Sequence, residues 1–176
     1  MTGSAFECET RTGLRLSVRP AGPGDISILD ELFHHVSQED LRFRFLSGIN
    51  EVKPEQLRAM TAIDHGNPES FIAFDAANGK PVATAMLALD AEGKRGEVAI
   101  SVDADYKRRG IGWTLLSFVA EHARQRGVQV IESLESRANH EAIEVERDVG
   151  FTVEECPGDP TLVIVRRTLE IPASGG

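Results

Sequence analysis

Residues 97–125 read EVAISVDADYKRRGIGWTLLSFVAEHARQ, and this stretch decides the fold that we predict. Residues 97–102 alternate in polarity and are rich in β-branched side chains, which predicts a strand. From Ile111 onward apolar residues return at helical spacing, which predicts a helix. Residues 107–112 lie between the two, so a basic turn that contains two glycines leads directly into a helix N-terminus.

This turn has the chemistry of an anion site. The first turn of a helix carries unpaired backbone N–H groups and the positive end of the helix dipole. Gly110 and Gly112 lack a Cβ, which allows an anion to approach the backbone, and Lys107, Arg108 and Arg109 add positive charge. The pattern favours a phosphate or pyrophosphate cradle. A surface turn with solvated basic side chains is the alternative.

The composition is that of a globular protein. The chain has 176 residues, 41% of them hydrophobic and 27% charged, and we predict a single domain over residues 1–176. A net charge of −9 argues against nucleic acid as a partner, because phosphate neutralisation needs a basic surface. A local basic turn on an acidic protein instead suits a small polyanionic ligand.

No targeting or metal signal is evident in the sequence. The two cysteines and five histidines show no metal-ligand spacing, so we predict no metal site. The N-terminus lacks the layout of a signal peptide, and no apolar run approaches membrane-spanning length. We therefore expect a cytoplasmic protein with no membrane partner.

The element pattern predicts an α/β (α+β) fold, in the order β, α, α, α, β, β, β, α, β, α, β, β. About seven strands would form a mixed, mostly antiparallel central sheet, with helices on both faces. We expect residues 1–13 and 172–176 to be loosely ordered. The predicted strands are 14–19, 70–74, 81–89, 97–102, 128–134, 151–153 and 162–169, and the predicted helices are 26–36, 41–46, 54–63, 111–126 and 139–149.

The basic turn and a second motif resemble the GNAT superfamily of acetyl-CoA-dependent N-acetyltransferases. The family signature is Arg or Gln, two variable residues, Gly, one variable residue, then Gly or Ala; here Lys107 takes the first place, and Gly110 and Gly112 the others. Asn139 and the pair Gly150-Phe151 match the downstream helix of the family. The resemblance implies a GNAT-type fold and acetyl-CoA as co-substrate.

A narrower resemblance is to the catalytic domain of bacterial protein-lysine acetyltransferases. It depends on residues 43–46, Asp64 and the strand that carries Glu97. It implies that the acceptor is a primary amine, either a protein lysine or a small amine. The oligomeric state stays open, with a homodimer as one alternative.

The resemblance also assigns roles. Glu97 would be the general base, which is useful because only on the order of one lysine in a thousand is neutral near pH 7. On a mostly apolar central strand, we expect its carboxylate to be shielded from water. The backbone of Ile100, Ser101 and Val102 would bind pantetheine and polarise the thioester. The cofactor-binding set is completed by Lys107, Arg108, Arg109, Gly110, Ile111, Gly112, Trp113 and Asn139.

Several alternatives remain at this stage. Trp113 could pack in the core, and Asn139 could be a plain helix cap. Many family members have a tyrosine acid seven residues after the asparagine, but Glu146 stands there and the only tyrosine, Tyr106, is in the turn, so no general acid is identified. Besides a small-amine acetyltransferase, a catalytically silent acyl-CoA-binding regulatory module is open. Dinucleotide binding is disfavoured because the glycine spacing is not G-x-G-x-x-G.

Overall fold

A computed structural model describes residues 5–46, 51–62 and 67–170 of the chain. Within these residues the strands form one sheet in the order β1-β2-β3-β4-β5-β6-β8-β7. Neighbouring strands are antiparallel except for β5 and β6, which are parallel. The strands are β1 (Phe6–Glu9), β2 (Arg15–Pro20), β3 (Glu69–Asp75), β4 (Pro81–Leu89), β5 (Arg95–Val102), β6 (Val130–Ser136), β7 (Thr152–Glu155) and β8 (Leu162–Thr168).

Helices cover both faces of the sheet. Along β3, Phe71 and Ala73 lie in a core with α4 and α5, whereas Ile72 and Phe74 lie in a second core with α1, α2 and α3. This alternation follows from the two-residue period of a strand and confirms the predicted mixed sheet with helices on both sides. The helices are α1 (Ile26–His34), α2 (Gln38–Phe45), α3 (Pro54–Thr61), α4 (Ile111–Gln125) and α5 (His140–Asp148).

Local sequence signals account for several boundaries. The Ser37 side chain accepts a hydrogen bond from the Asp40 N–H at 3.1 Å and caps α2. Pro54 starts α3, where its missing N–H has no cost. The turn between β3 and β4 places Gly79 at φ +74°, which glycine tolerates.

One prediction about the N-terminal residues was wrong. We expected residues 1–13 to be loosely ordered, but Phe6–Glu9 is a strand that pairs with β2 along its length. The short, polar segment carried no strand signal by itself, and it is ordered because β2 presents an open edge to it. The predicted loose tail at 172–176, the last residue of the predicted helix 54–63 and Asp64 lie outside the described residues.

Candidate active site

A cavity of about 710 Å³ opens where β5 and β6 separate. The two strands pair only from Arg95–Glu97 to Val130–Glu132. Beyond Glu97, β5 continues on β4 alone as far as Val102, while β6 continues on β8. The edge of β5 that faces the gap therefore has no strand partner among the described residues, and its backbone groups are available to a ligand.

The cavity brings together most of the predicted site. Arg109 is the exception among the described residues, since it does not line the cavity. Its guanidinium lies 4.7 Å from the centre of the Tyr106 ring, and its carbonyl accepts a 2.6 Å hydrogen bond from the Thr12 hydroxyl. The predicted residues that do line the cavity are Glu97, Ile100, Ser101, Val102, Lys107, Arg108, Gly110, Ile111, Gly112, Trp113 and Asn139.

The N-terminus of α4 faces this cavity without a side-chain cap. Gly110 precedes the helix at φ +82°, and its carbonyl accepts the first helical hydrogen bond, from the Thr114 N–H at 3.1 Å. A Cβ at Gly110 would lie 3.4 Å from the Thr10 Cβ, whereas a Cβ at Gly112 would meet no atom within 4 Å. Gly110 thus serves the turn geometry, and Gly112 leaves open space before the helix N–H groups.

Two of the three cations of the turn are already paired with carboxylates. The Lys107 ammonium lies 2.7 Å from Asp40 and 3.2 Å from Glu141, and the Arg108 guanidinium lies 3.0 Å from Glu141. Partial burial works to lower the pKa of Lys107, but the hydrogen bonds and charges of the two carboxylates outweigh it and raise that pKa. An anion that enters the cavity must therefore compete with Asp40 and Glu141 for these side chains.

Arg11 adds a cation that the sequence did not reveal. It follows β1 in the turn to β2, lines the cavity, and places its guanidinium 4.4 Å from the centre of the Trp113 ring. The expectation of a loose N-terminus hid this contact. Trp113 itself packs partly against the core and also lines the cavity.

Glu97 projects into the cavity from the end of the paired part of β5. Its neighbour Val98 is 3% exposed and lies in the core that contains α4. Because successive side chains of a strand point to opposite faces of the sheet, Glu97 faces the side that α2 covers. The expected shielding from water was wrong, because the Glu97 side chain is exposed. The parting of the strands beside it admits solvent, which the apolar strand pattern did not indicate.

Arg44 of α2 shares this part of the cavity. Burial lowers the pKa of its guanidinium, while the charges of Glu97 and Glu135 act in the opposite direction. Among the described residues, its guanidinium donates one hydrogen bond, of 4.0 Å, to the Met86 sulfur. A positive charge thus stands among several carboxyl groups at the end of the cavity away from the glycine turn.

Two carboxyl groups that sequence reasoning missed, Glu135 of β6 and Glu146 of α5, meet at the wall of the cavity. Glu146 is 5% exposed, and burial together with the neighbouring Glu135 charge raises its pKa to about 10. Burial also raises the pKa of Glu135. Glu135 accepts hydrogen bonds from the Ser133 hydroxyl at 2.9 Å and from the Asn139 side-chain amide at 3.4 Å.

Asn139 is the cap of α5, as one alternative had it. Its side-chain oxygen accepts a 3.4 Å hydrogen bond from the Ala142 N–H, and its amide nitrogen donates to Glu135. The seven-residue spacing to Glu146 is two helical turns, which places both side chains on the cavity face of α5. This spacing was the available signal for Glu146, but its proximity to Glu135 depends on the packing of α5 against α4 and β7.

The family model for "Acetyltransferase (GNAT) family" matches residues 33–151. The chain belongs to the GNAT family. It is thus a GNAT-family acetyltransferase, and the predicted fold and enzyme class are confirmed.

Individual GNAT proteins resemble the whole chain. Acetyltransferase PA5475 of Pseudomonas aeruginosa is 27% identical over 159 residues, which cover 89% of this chain and 86% of that protein. The GNAT domain of S. lividans PAT has a TM-score of 0.84 at 24% identity, with 94% of this chain and 97% of that domain covered. Spermidine N-acetyltransferase from Vibrio cholerae, in complex with CoA and spermine, has a TM-score of 0.69 at 15% identity. The match covers 87% of this chain and 95% of that chain.

The described residues carry neither a cluster of metal ligands nor a helix that could span a membrane. Across residues 5–46, 51–62 and 67–170, no three His, Cys, Asp or Glu side chains are grouped so that they could hold a metal ion. Over the same ranges, every helix is too short or too polar to cross a membrane.

Proposed function

We propose that this GNAT protein transfers the acetyl group of acetyl-CoA to the primary amine of a protein lysine, with Glu97 as the general base. The observation that carries the proposal is the cavity at the fork between β5 and β6, with an uncapped helix N-terminus at one end and Glu97 at the other. One end suits a diphosphate, and the other suits an ammonium group.

The donor end fits a thioester carrier with an anionic tail. The diphosphate would bind the backbone N–H groups in the first turn of α4, where Gly112 leaves open space. Lys107, Arg108 and Arg11 would add positive charge around it. The unpaired edge of β5 would hydrogen-bond the pantetheine arm and polarise the thioester carbonyl. The buried Ser101 hydroxyl lines the same cavity and has no partner among the described residues, which adds a polar group for this arm. When bound, acetyl-CoA supplies an activated acetyl group and a thiolate leaving group.

The acceptor end supplies the base. An amine attacks a thioester only in its neutral form, and the pKa of a free lysine is about 10.4. Glu97 would take the ammonium proton, directly or through a water molecule, and its exposure to solvent allows that proton to leave. The neutral nitrogen then attacks the carbonyl carbon, and the carbon–sulfur bond breaks.

The rim of the acceptor end supports a protein acceptor over a small one. Leu46 and Leu134 line the cavity and are 39% and 37% exposed, which leaves apolar surface at the mouth. An extended peptide can cover such a rim, whereas a small amine leaves it in water. The charge of Glu97 attracts cationic acceptors of either kind.

The test is release of the CoA thiol from acetyl-CoA, with a panel of lysine peptides, folded proteins, polyamines and amino acids. We expect turnover with lysine peptides and little with free amino acids. Turnover with small amines alone would replace the protein acceptor by a small-amine one. Acetyl-CoA binding in a calorimeter without turnover on any amine would support the silent regulatory module instead.

A further inference from the structure

The pair of carboxyl groups at the cavity wall, Glu135 and Glu146, has no role in the mechanism given above. Each of the two carboxyl groups affects the ionisation of the other, and both line the cavity. Burying two ionised carboxylates side by side is strongly unfavourable, so the pair keeps one proton between them. The location of that proton decides what the pair can do.

The hydrogen-bond partners place the proton on Glu146. Both oxygens of Glu135 accept hydrogen bonds, one from Ser133 and one from Asn139, which stabilises its ionised form. Glu146 receives no such donor within the described part of the chain, and its Oε1 atom is buried without any hydrogen-bond partner. A buried carboxyl group with an ionised neighbour and no donors of its own is stable only as the neutral acid.

The position of Glu146 indicates that its role is more than structural. A buried polar atom without a partner is unfavourable, and a purely structural carboxyl group would be expected to have both oxygens satisfied. Glu146 instead lines the cavity between the unpaired edge of β5 and helix α5, where the pantetheine arm would lie under the proposed function. An unsatisfied acid at that wall points to a bound group that completes its hydrogen bonds.

We propose that Glu146, kept neutral by Glu135, is the acid that protonates the departing thiolate. The inference rests on the acetyl transfer proposed above. When the carbon–sulfur bond breaks, its electron pair goes to sulfur, which takes the proton from the Glu146 O–H. Glu146 is left as a carboxylate beside Glu135, and this repulsion drives it to recover a proton from solvent before the next turnover.

The acidity of Glu146 suits this step. A thiol has a pKa near 8.5, and a proton donor works best when its own pKa is close to that of the group it serves and to the operating pH. Because the pKa of Glu146 is raised to about 10, its acidity is close to that of a thiol, whereas an ordinary carboxyl group would already be ionised at neutral pH. The other charged group that acts on the pair is Arg44 of α2, whose charge favours the ionised form of Glu135; Arg44 is in turn influenced by Glu97 of β5.

The main test is the Glu146→Gln variant. Glutamine keeps the size of the side chain and can donate a hydrogen bond to Glu135, but it cannot supply a proton. We expect kcat for thiol release to fall by about 100-fold or more, with the Kd for acetyl-CoA close to wild type and a melting temperature no lower than that of wild type. Glu132→Gln is the matched control, because Glu132 lies on the same strand, pairs with Arg95 and Arg166, and does not line the cavity.

A second variant separates proton donation from a structural role. In Glu135→Gln the neighbouring charge is gone, so Glu146 ionises at lower pH. The alkaline loss of kcat should therefore move down by about one pH unit or more relative to wild type. A merely structural pair would lower activity equally at all pH values.

The outcomes keep the two proposals distinct. Full kcat in Glu146→Gln, with an active wild-type enzyme, overturns the assignment of Glu146 and leaves the acetyltransferase proposal in place. The assignment is also overturned if kcat of Glu135→Gln is lost at the same alkaline pH as kcat of wild type. Wild-type protein that binds acetyl-CoA but releases no thiol with any amine overturns both.

Discussion

Replacing Gly112 by alanine should make the protein more stable and weaken its binding of acetyl-CoA. Gly112 is the second residue of α4, has no positive φ, and offers open space where a Cβ would stand. Alanine is a better helix former than glycine, and such a change at an unstrained site stabilises a protein by about 0.4–1 kcal/mol. For a domain of this size the melting temperature should rise by about 1–4 °C.

The effect on the ligand has the opposite sign. The added methyl group occupies the space through which a phosphate oxygen would approach the helix N–H groups. A hydrogen bond to a charged group contributes about 1.5–3 kcal/mol, so the loss of one such bond should weaken binding by about 10- to 100-fold. Calorimetric titration of acetyl-CoA into each protein measures the Kd, and differential scanning calorimetry measures the melting temperature.

Gly110→Ala is the matched comparison. At φ +82° alanine is strained by about 1–2 kcal/mol, and its Cβ would press on the Thr10 side chain at 3.4 Å. This variant should lose stability, whereas Gly112→Ala gains it. An acetyl-CoA Kd for Gly112→Ala equal to that of wild type would refute the placement of the diphosphate at this helix N-terminus.

Three further outcomes are expected. Glu97→Gln should lower kcat by about 100-fold with an unchanged acetyl-CoA Kd, measured by thiol release and calorimetry, because the base is lost but the donor end is intact. Glu141→Gln should tighten acetyl-CoA binding by about 3- to 10-fold and make the Kd more sensitive to salt, because Lys107 and Arg108 lose a competing carboxylate. Glu146→Gln should be more stable than wild type at pH 8 by on the order of 1–4 kcal/mol in urea unfolding. This gain should shrink toward pH 5, because the folded pKa of about 10 lies above the unfolded 4.5 and wild-type stability falls between them as pH rises.

The sequence was informative where one segment carries its own geometry. The strand, the glycine turn and helix α4 follow each other without interruption, so alternation, two glycines and helical spacing were enough to predict the anion-binding end. The Asn139 cap was predictable for the same reason, since it depends on a residue only three positions away. Patterns of this kind encode local structure, and they say little about which segments meet.

The parts that were missed depend on contacts between distant segments. Strand β1 is ordered by its pairing with β2 and by the contact of the Phe6 ring with Phe118 of α4, and without it Arg11 had no predicted place near Trp113. The exposure of Glu97 results from the parting of β5 and β6, which no pattern within either strand expresses. Glu135 and Glu146 come from different elements, and their shared proton exists only after α5 has packed against α4 and β7.

Two glutamates line the same cavity, but Glu97 is exposed to water and Glu146 is buried. Glu97 stands where the strands part, so solvent reaches its side chain and a proton taken from an amine can leave. Glu146 stands on the covered wall beside an ionised neighbour, so it keeps its proton at neutral pH. Acetyl transfer to an amine requires a group that accepts a proton at the start and one that donates a proton at the end. Because one glutamate is exposed to solvent and the other is buried, a single residue type can serve both steps. The two roles therefore depend on the position of each glutamate relative to the fork, and exchanging water access between them would disable both.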